Sequence, residues 1–400
     1  MTRVSTEWAF QNQVLQMQRQ QADLSRTQEQ VSSGERILQP SDDPAAAVRG
    51  LELGRALQET EQFEKNTTMA ENRLQRQEGS LEEGGKLLQR ARELTVQGNN
   101  ASQDAETREF MAKELRQIRD GMIDLANTQD ASDQFIFAGY KSGTRPFSES
   151  GEGVEYNGDS GKRELQIGPS RKVTDGNPGN EVFMNIREGN GLFVLRDDED
   201  NEGTGVVKET TIRDSTEWSG EEFTLEIIEE GEEYEIRDVD DDVVQDGDFV
   251  SGEAIRFQGT EFVIEGSPEE GDQFSIEPSR NQSVFETLDN LIEAFESRTD
   301  NPQEETVQRN AVNRGLDDLD QAIDNFLDIR SETGARLSAI DDQRAVNEGS
   351  SLDLEVAQSE IQDLDYAEAV SRLTREQIGL QAAQQTFSQV QGTSLFDFLR

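Results

Sequence analysis

One stretch of this sequence has residue types at a spacing that could bind a metal ion. Asp198, Asp200, Glu202, Gly203 and Glu209 follow the spacing of an EF-hand calcium loop. An EF-hand loop lies between helices, whereas strand-like residues precede Asp198. A chain rich in aspartate and glutamate also produces such spacings by chance. We therefore interpret the stretch as an acidic β turn and predict no metal site.

Other side chains that carry enzyme chemistry are missing. The sequence contains no cysteine and no histidine, so disulfides, thiol catalysis and the commonest general base are excluded. The acidic run Asp238, Asp240, Asp241 and Asp242 lacks the glycine of a calcium loop, and we interpret it as a solvated loop. Carboxylate pairs are too frequent here to indicate a glycosidase. We expect no enzyme, no catalytic residue and no cofactor.

Acidic residues dominate the composition, with 84 aspartates and glutamates against 38 lysines and arginines and a formal net charge of -46. Nucleic acid and anionic membranes would repel such a surface, so neither is an expected partner. Because strong salt screens this repulsion, the composition indicates a halophile. No run approaches the ~20 apolar residues of a membrane span, and the N-terminus lacks the pattern of a secretory signal. We expect a protein that stays in the cytoplasm or is exported without such a signal.

Helix signals are strong in the first third of the chain. A first helix is predicted from residue 5 to residue 33, where Gly34 provides the C-cap. Asp43 and Pro44 are a natural N-cap and first helical residue, so a long second helix is predicted to begin there. Asp104 is expected to cap a third helix.

The middle of the chain has a different pattern. Between residues 140 and 279, short alternating apolar runs are separated by Gly, Asp, Asn and Pro, which is typical of an antiparallel β domain. Helix is predicted to return after Arg280 and to break at Gly349. Ser350 and Asp353 are then expected to cap a final helix.

These elements predict an α+β fold. Both chain ends form an elongated antiparallel helical bundle or coiled coil, and an antiparallel β domain is inserted between them. The predicted domains are paired terminal helices at residues 1–42 and 350–400, a helical rod at residues 43–139 and 280–349, and the inserted β domain at residues 140–279.

The first and last helices share one heptad pattern. Their predicted core positions are Phe10, Val14, Met17, Leu24 and Val31 in the first helix, and Tyr366, Val370, Leu373, Leu380 and Phe387 in the last. Glutamines fill matching a positions, namely Gln21, Gln28, Gln377 and Gln384. Buried glutamines weaken a helix pair, which favours helices that order on joining an assembly. The alternative is an ordinary antiparallel helix pair within a monomer.

Several segments carry a family resemblance. Residues 30–47 read QVSSGERILQPSDDPAAA and residues 363–371 read DLDYAEAVS. The first resembles the signature that joins the first two helices in the flagellin superfamily, and the second resembles the matching stretch near the other end. Residues 134–140 (QFIFAGY) and 392–399 (GTSLFDFL) are most similar to the hook-associated branch of that superfamily.

The resemblance implies a structural adaptor at the flagellar hook–filament junction, with a filament flagellin as the alternative. The implied partners are the inner junction protein, flagellin, copies of the same chain in a ring and a flagellar export chaperone. The implied location is the extracellular flagellum, reached by the flagellar type III route without a cleaved signal. The heptad core residues, with Leu395 and Phe396, would then form the assembly interface. A glycan- or calcium-binding module on the β insertion is a hypothesis of another class.

Overall fold

The structure is a computed structural model. It describes residues 2–100, 104–151, 153–228, 232–297 and 299–398, and the side chains of these residues except at 2–7, 9 and 390–398. Its helices are α1 (Thr2–Ser33), α2 (Pro44–Gly98), α3 (Ala105–Ala126), α4 (Val284–Glu296), α5 (Pro302–Gln362) and α6 (Tyr366–Phe398).

The strands lie between α3 and α4. They are β1 (Phe147–Ser150), β2 (Gly153–Tyr156), β3 (Glu164–Gln166), β4 (Lys172–Thr174), β5 (Ile186–Arg187), β6 (Phe193–Asp197), β7 (Val206–Ile212), β8 (Phe223–Ile228), β9 (Glu233–Asp238), β10 (Val243–Asp248), β11 (Ala254–Phe257), β12 (Thr260–Glu265), β13 (Gln273–Pro278) and β14 (Asn281–Gln282). A short π-helix, Asn180–Met184, precedes β5.

The described strands pair in antiparallel fashion. One sheet has the order β10-β9-β8-β13-β6, and a second has the order β11-β12-β7. The other pairs are β1 with β2, β3 with β4, and β5 with β14. An α+β fold with a central antiparallel β region is therefore confirmed.

The chain forms two compact units. One contains residues 1–65 and 343–400, and the other contains residues 66–342. Among the described residues, no helix is both long enough and apolar enough to cross a membrane.

The larger unit has a helical core with the predicted apolar residues in it. Leu81, Leu88, Leu115, Met122 and Phe326 are each at most 1% exposed. Gly84 permits this packing, because a Cβ there would lie 2.6 Å from Cε1 of Phe326. The apolar residues that recur every seven positions along α2 therefore form a buried face.

The two sheets enclose a separate core. Phe223, Leu225 and Ile227 alternate along β8 and are buried, as the period of a half-buried strand requires. Phe223 packs edge-on against Phe257 of β11, with ring centroids 4.8 Å apart. Apolar packing thus joins the two sheets.

Polar side chains of α5 connect the helical and β parts of this larger unit. Asn310 accepts a hydrogen bond from the Val207 N–H at 2.9 Å, and Asn313 donates to the Val207 carbonyl at 2.6 Å. Asp318 accepts from the Gly189 N–H at 2.6 Å. These bonds orient β7 and the turn before β6 on α5.

The predicted helix break at Gly349 is wrong. Helix α5 continues through Gly349 to Gln362, and the break lies at residues 363–365. A single glycine costs a helix only about 1 kcal/mol relative to alanine, which neighbouring turns outweigh. The new helix begins instead where Asp365 caps it, accepting from the N–H groups of Ala367 at 2.9 Å and Glu368 at 3.1 Å.

Candidate functional site

The candidate site is the surface of the unit formed by residues 1–65 and 343–400. Its centre is the connector between α1 and α2. Gly34 ends α1 with φ of 79°, a conformation that favours glycine. A Cβ at Gly34 would also lie 2.8 Å from the hydroxyl oxygen of Tyr366. Both the backbone angle and the close neighbour therefore require glycine.

Backbone hydrogen bonds tie this connector to the break between α5 and α6. The Leu364 N–H donates to the Gly34 carbonyl at 2.9 Å, and the Arg36 N–H donates to the Gln362 carbonyl at 2.7 Å. These bonds flank an antiparallel bridge between Glu35 and Asp363. The two family-like segments thus meet as one short piece of β structure.

Arg36 adds a side-chain bond to the same joint. Its guanidinium donates to the Ile361 carbonyl from Nε at 3.2 Å and from Nη2 at 2.7 Å. A cation at the C-terminal end of a helix satisfies carbonyls that lack a helical partner. Gln30, only 9% exposed, donates to the Arg36 carbonyl at 2.7 Å. Arg36 therefore links the ends of α1 and α5.

The two aspartates of the connector have separate roles. The Asp42 carboxylate accepts from the N–H groups of Leu38 at 3.2 Å and Gln39 at 3.1 Å, and forms an ion pair with Arg26. Asp43 caps α2 by accepting from the Ala46 N–H at 3.0 Å. The predicted start of α2 is confirmed.

The two terminal helices pack against each other, so the ends of the chain meet. The rings of Phe10 and Phe387 have centroids 5.2 Å apart. The half-buried residues of the predicted seam are Val14, Met17, Leu24, Val31, Leu373, Leu380 and Phe387. The side chains of Leu395 and Phe396 lie outside the described residues.

Some residues of the predicted seam are exposed in this chain, and their place in an assembly interface stays a prediction. Tyr366 is 55% exposed and Val370 is 48% exposed. The predicted a-position glutamines are exposed as well; they are Gln21, Gln28, Gln377 and Gln384. These residues do not contribute to the buried face of the helix pair.

The a positions of the observed pair are shifted by one residue. Residues that alternate with the apolar d positions are Gln20, Thr27, Ala369, Glu376 and Ala383, all buried or half-buried. Core positions of a heptad alternate in steps of three and four residues, so the second core position can lie either three or four residues after the first. The sequence alone favours the more apolar Val14. Small residues such as Ala369, which is fully buried, let the helices approach closely. Small size is the signal at Ala369 and Ala383, whereas the long polar Gln20 and Glu376 give no signal that spacing alone reveals.

This unit also exposes large apolar side chains. They are Trp8, Leu15, Val48, Leu51, Val346, Leu352, Val356 and Ile378, with Tyr366 and Val370. Exposed apolar patches mark interaction sites in soluble proteins, and Val48 and Leu51, which line one groove, form such a patch. The arrangement is suited to packing against other protein surfaces.

The EF-hand-like stretch lies elsewhere, between β6 and β7. Strands on both sides replace the helices of an EF-hand. The Asp272 carboxylate fixes the turn by accepting from the N–H groups of Glu202 at 2.8 Å and Glu269 at 2.9 Å. In the described part of the chain, no group of three or more acidic side chains is placed to hold a metal ion. The stretch is an acidic turn between strands.

Comparison with known protein families first identifies the class of protein to which this chain is similar. Residues 4–142 match the family model "Bacterial flagellin N-terminal helical region", and residues 316–399 match "Bacterial flagellin C-terminal helical region". These regions contain α1, α2 and α3 at one end, and most of α5 with α6 at the other. The paired terminal helices and their connector therefore define a flagellin-type protein.

Individual relatives narrow this class. The crystal structure of Xanthomonas campestris FlgL is 34% identical and has a TM-score of 0.73, covering 77% of this chain and 99% of that one. Flagellar hook-associated protein 3 of Escherichia coli is 24% identical over 98% of both chains. The flagellar filament 41 kDa core protein of Borreliella burgdorferi is 36% identical, but over only 26% of this chain and 32% of its own length. The chain belongs to the FlgL (flagellar hook-associated protein 3) family.

Proposed function

We propose that this chain is a non-enzymatic adaptor at the hook–filament junction, joining the inner junction protein to the flagellin filament. Similarity to hook-associated protein 3 along nearly the whole chain supports this role. The similarity to filament proteins spans a smaller share of the chain, which makes a filament flagellin the weaker candidate.

The observation that carries the proposal is the surface of the unit formed by residues 1–65 and 343–400. Its helix pair buries few side chains completely, while Leu51 and Leu352 are 68% and 61% exposed. Apolar surface of this kind is stabilised when other subunits cover it. Its partners are the inner junction protein, flagellin and further copies of this chain in a ring.

The proposed location is the extracellular flagellum. We propose export through the flagellar type III channel without a cleaved signal, with an export chaperone that covers the apolar terminal helices before assembly. The chain has 32% hydrophobic residues and a net charge of -46. A surface this acidic is suited to an exterior medium of high salt.

Localisation in intact flagella tests the adaptor role against the flagellin alternative. A strain lacking the gene is complemented with the full chain carrying an epitope in the exposed turn at Val239, which is 75% exposed. An adaptor predicts immunogold label confined to the hook end of each filament, and loss of the gene predicts flagellin shed into the medium. Label along whole filaments would support a flagellin instead.

A further inference from the structure

A groove of about 710 Å³ lies where the connector meets the start of α2. Its apolar lining includes Ile37, Leu38, Val48 and Leu51. Val48 and Leu51 are 55% and 68% exposed, so the groove is open to solvent. A Cβ at Gly54, which also lines the groove, would meet no atom within 4 Å. The groove therefore has room for side chains from another molecule.

The groove contains a cation with no partner. Arg55 lines it, and among the described residues Arg55 forms no ion pair or hydrogen bond. Among the described residues, Arg49 of the same helix is likewise without an ion pair or hydrogen bond, but Arg55 is the cation that lines the groove. An acidic occupant would supply the missing charge partner.

A surface on α5 has protruding apolar side chains flanked by acidic ones, which is complementary to the groove and its arginine. Leu352 and Val356 are one helical turn apart, and they are 61% and 52% exposed. Four exposed acids flank this pair, two on each side of the helix: Glu348 and Glu355, and Asp353 and Glu360. We call Leu352, Val356 and these four acids the α5 ridge.

One molecule does not place its own α5 ridge in its own groove. Gln358 and Gln362 are the α5 residues that line the groove. At 100° per residue, Gln358 is about 120° around the helix from Leu352 and about 160° from Val356. Gln362 is about 80° from Leu352 and about 120° from Val356, although it is only about 20° from Glu355. The apolar pair of the ridge therefore lies on a different face from the groove-lining glutamines, and its contact with a groove requires two molecules.

We propose that the α5 ridge of one copy docks in the Ile37–Leu51 groove of the next copy, with Arg55 facing the ridge acids. The inference rests on the proposed function, since it specifies how copies of this chain meet in the ring. The contact joins two different surfaces, so it is head-to-tail. In a row of copies, the copy at one end has a free groove and the copy at the other end has a free ridge. Such contacts continue until the ring closes.

Cysteine cross-linking tests the contact, because the chain has no cysteine of its own. The full-length double variant Leu51→Cys/Val356→Cys is expressed in a strain lacking the gene, and its isolated flagella are oxidised with copper phenanthroline. We expect a ladder of dimers, trimers and longer products on non-reducing gels. Either single variant should remain monomeric, because each has only one half of the contact.

Arg49 provides the matched control. It is exposed on α2, about 160° around the helix from Leu51. Arg49→Cys/Val356→Cys should give at least tenfold less cross-linking than Leu51→Cys/Val356→Cys. Flagella that contain the chain but give no ladder, equal ladders from both double variants, or dimers from Leu51→Cys alone would each overturn the proposed contact.

Charge reversal gives a second test that does not require cysteines. Arg55→Glu should lower the amount of chain retained in isolated flagella at least fivefold, while Arg49→Glu should leave it unchanged. Adding Asp353→Arg and Glu355→Arg to Arg55→Glu should restore retention, and failure of this rescue would count against the ridge. Absence of the wild-type chain from flagella would contradict the proposed function itself, so the two failures are distinguishable.

Discussion

The rings of Phe10 and Phe387 lie 5.2 Å apart and inclined at 37°, joining side chains from opposite ends of the sequence. An aromatic pair at this distance contributes about 1 kcal/mol of stability beyond that gained from burying its apolar surface. Phe10 remains 42% exposed, so the contact leaves part of its surface uncovered.

We expect the terminal helices to be cut first in limited proteolysis of the monomer. Trypsin should cleave at the exposed Arg19 and Arg375 before it cleaves within residues 66–342, because the α1–α6 pair buries few side chains completely. Phe387→Ala should speed this cleavage further. Terminal helices that survive as long as the larger unit would contradict the expectation that assembly stabilises them.

A charge in the helix pair should prevent incorporation into flagella. Leu24→Glu and Leu380→Glu each place a carboxylate on the half-buried face of the pair, where desolvation is costly. We expect poor swimming in soft agar and flagellin released into the medium. Gln377→Glu is the control, since Gln377 is exposed, and it should swim normally. Normal filaments in the leucine variants would show that Leu24 and Leu380 are not part of the assembly interface.

The stability of the larger unit should depend on pH through two neighbouring acids of α5. Burial raises the pKa of Asp317 and of Asp318 to about 6. Asp318 accepts from the Gly189 N–H and lies near Glu188, Arg196 and Arg314. The folded state therefore binds protons more tightly than the unfolded state. The free energy of unfolding should rise as the pH falls from above 6 towards 4.

Asp318→Asn tests this dependence, because an amide resembles the protonated acid. We expect the variant to be more stable than the wild type at pH 7.5, by on the order of 2 kcal/mol. The difference should fall to about half of this at pH 5 and vanish near pH 4. Thermal unfolding in strong salt measures both. Asp328→Asn, at an exposed position of the same helix, should change little at either pH. Equal stabilisation at both pH values would exclude a titrating Asp318.

A buried glutamine should be essential to the larger unit. Gln77 is fully buried and donates to Asn177 Oδ1 at 3.0 Å and Thr333 Oγ1 at 2.9 Å, while its own oxygen accepts from the Asn177 N–H at 2.8 Å. Gln77→Leu would leave the Asn177 N–H without its partner, whereas Asn177 Oδ1 would still accept from Arg336 and Thr333 Oγ1 would still donate to the Ile329 carbonyl. The expected cost in denaturant unfolding is roughly 1–3 kcal/mol. Gln75→Leu, at an exposed position of the same helix, should change stability by less than about 0.5 kcal/mol.

Salt should stabilise the folded chain. With 84 acids and 38 bases, the mean interaction between surface charges is repulsive, and its range falls from about 10 Å at 0.1 M salt to about 3 Å at 1 M. The melting temperature followed by circular dichroism should therefore be higher in roughly 2 M KCl than in roughly 0.1 M. An unchanged or lower melting temperature would contradict the halophile interpretation and leave the family assignment intact.

Local residue patterns were enough to predict where helices begin and end and which runs form strands. Gly34 ends α1 and Asp43 caps α2 as predicted, because a C-cap and an N-cap depend on residues within one turn of the chain. The alternating runs of β8 and β9 likewise predicted strands, since their period of two depends on a single buried face. The family-like segments were recognisable for the same reason.

Tertiary structure decided which faces are buried and which polar residues are paired. The sequence assigned the a positions of the terminal helices one residue away from those observed, because a heptad does not specify how closely two helices approach. Gln77 lies in the apolar frame of α2 and finds partners 100 and 256 residues away. Helix α5 continues through Gly349 because the cost of one glycine is smaller than the stabilisation from neighbouring turns. Each of these outcomes depends on contacts between residues distant in sequence, which local spacing does not specify.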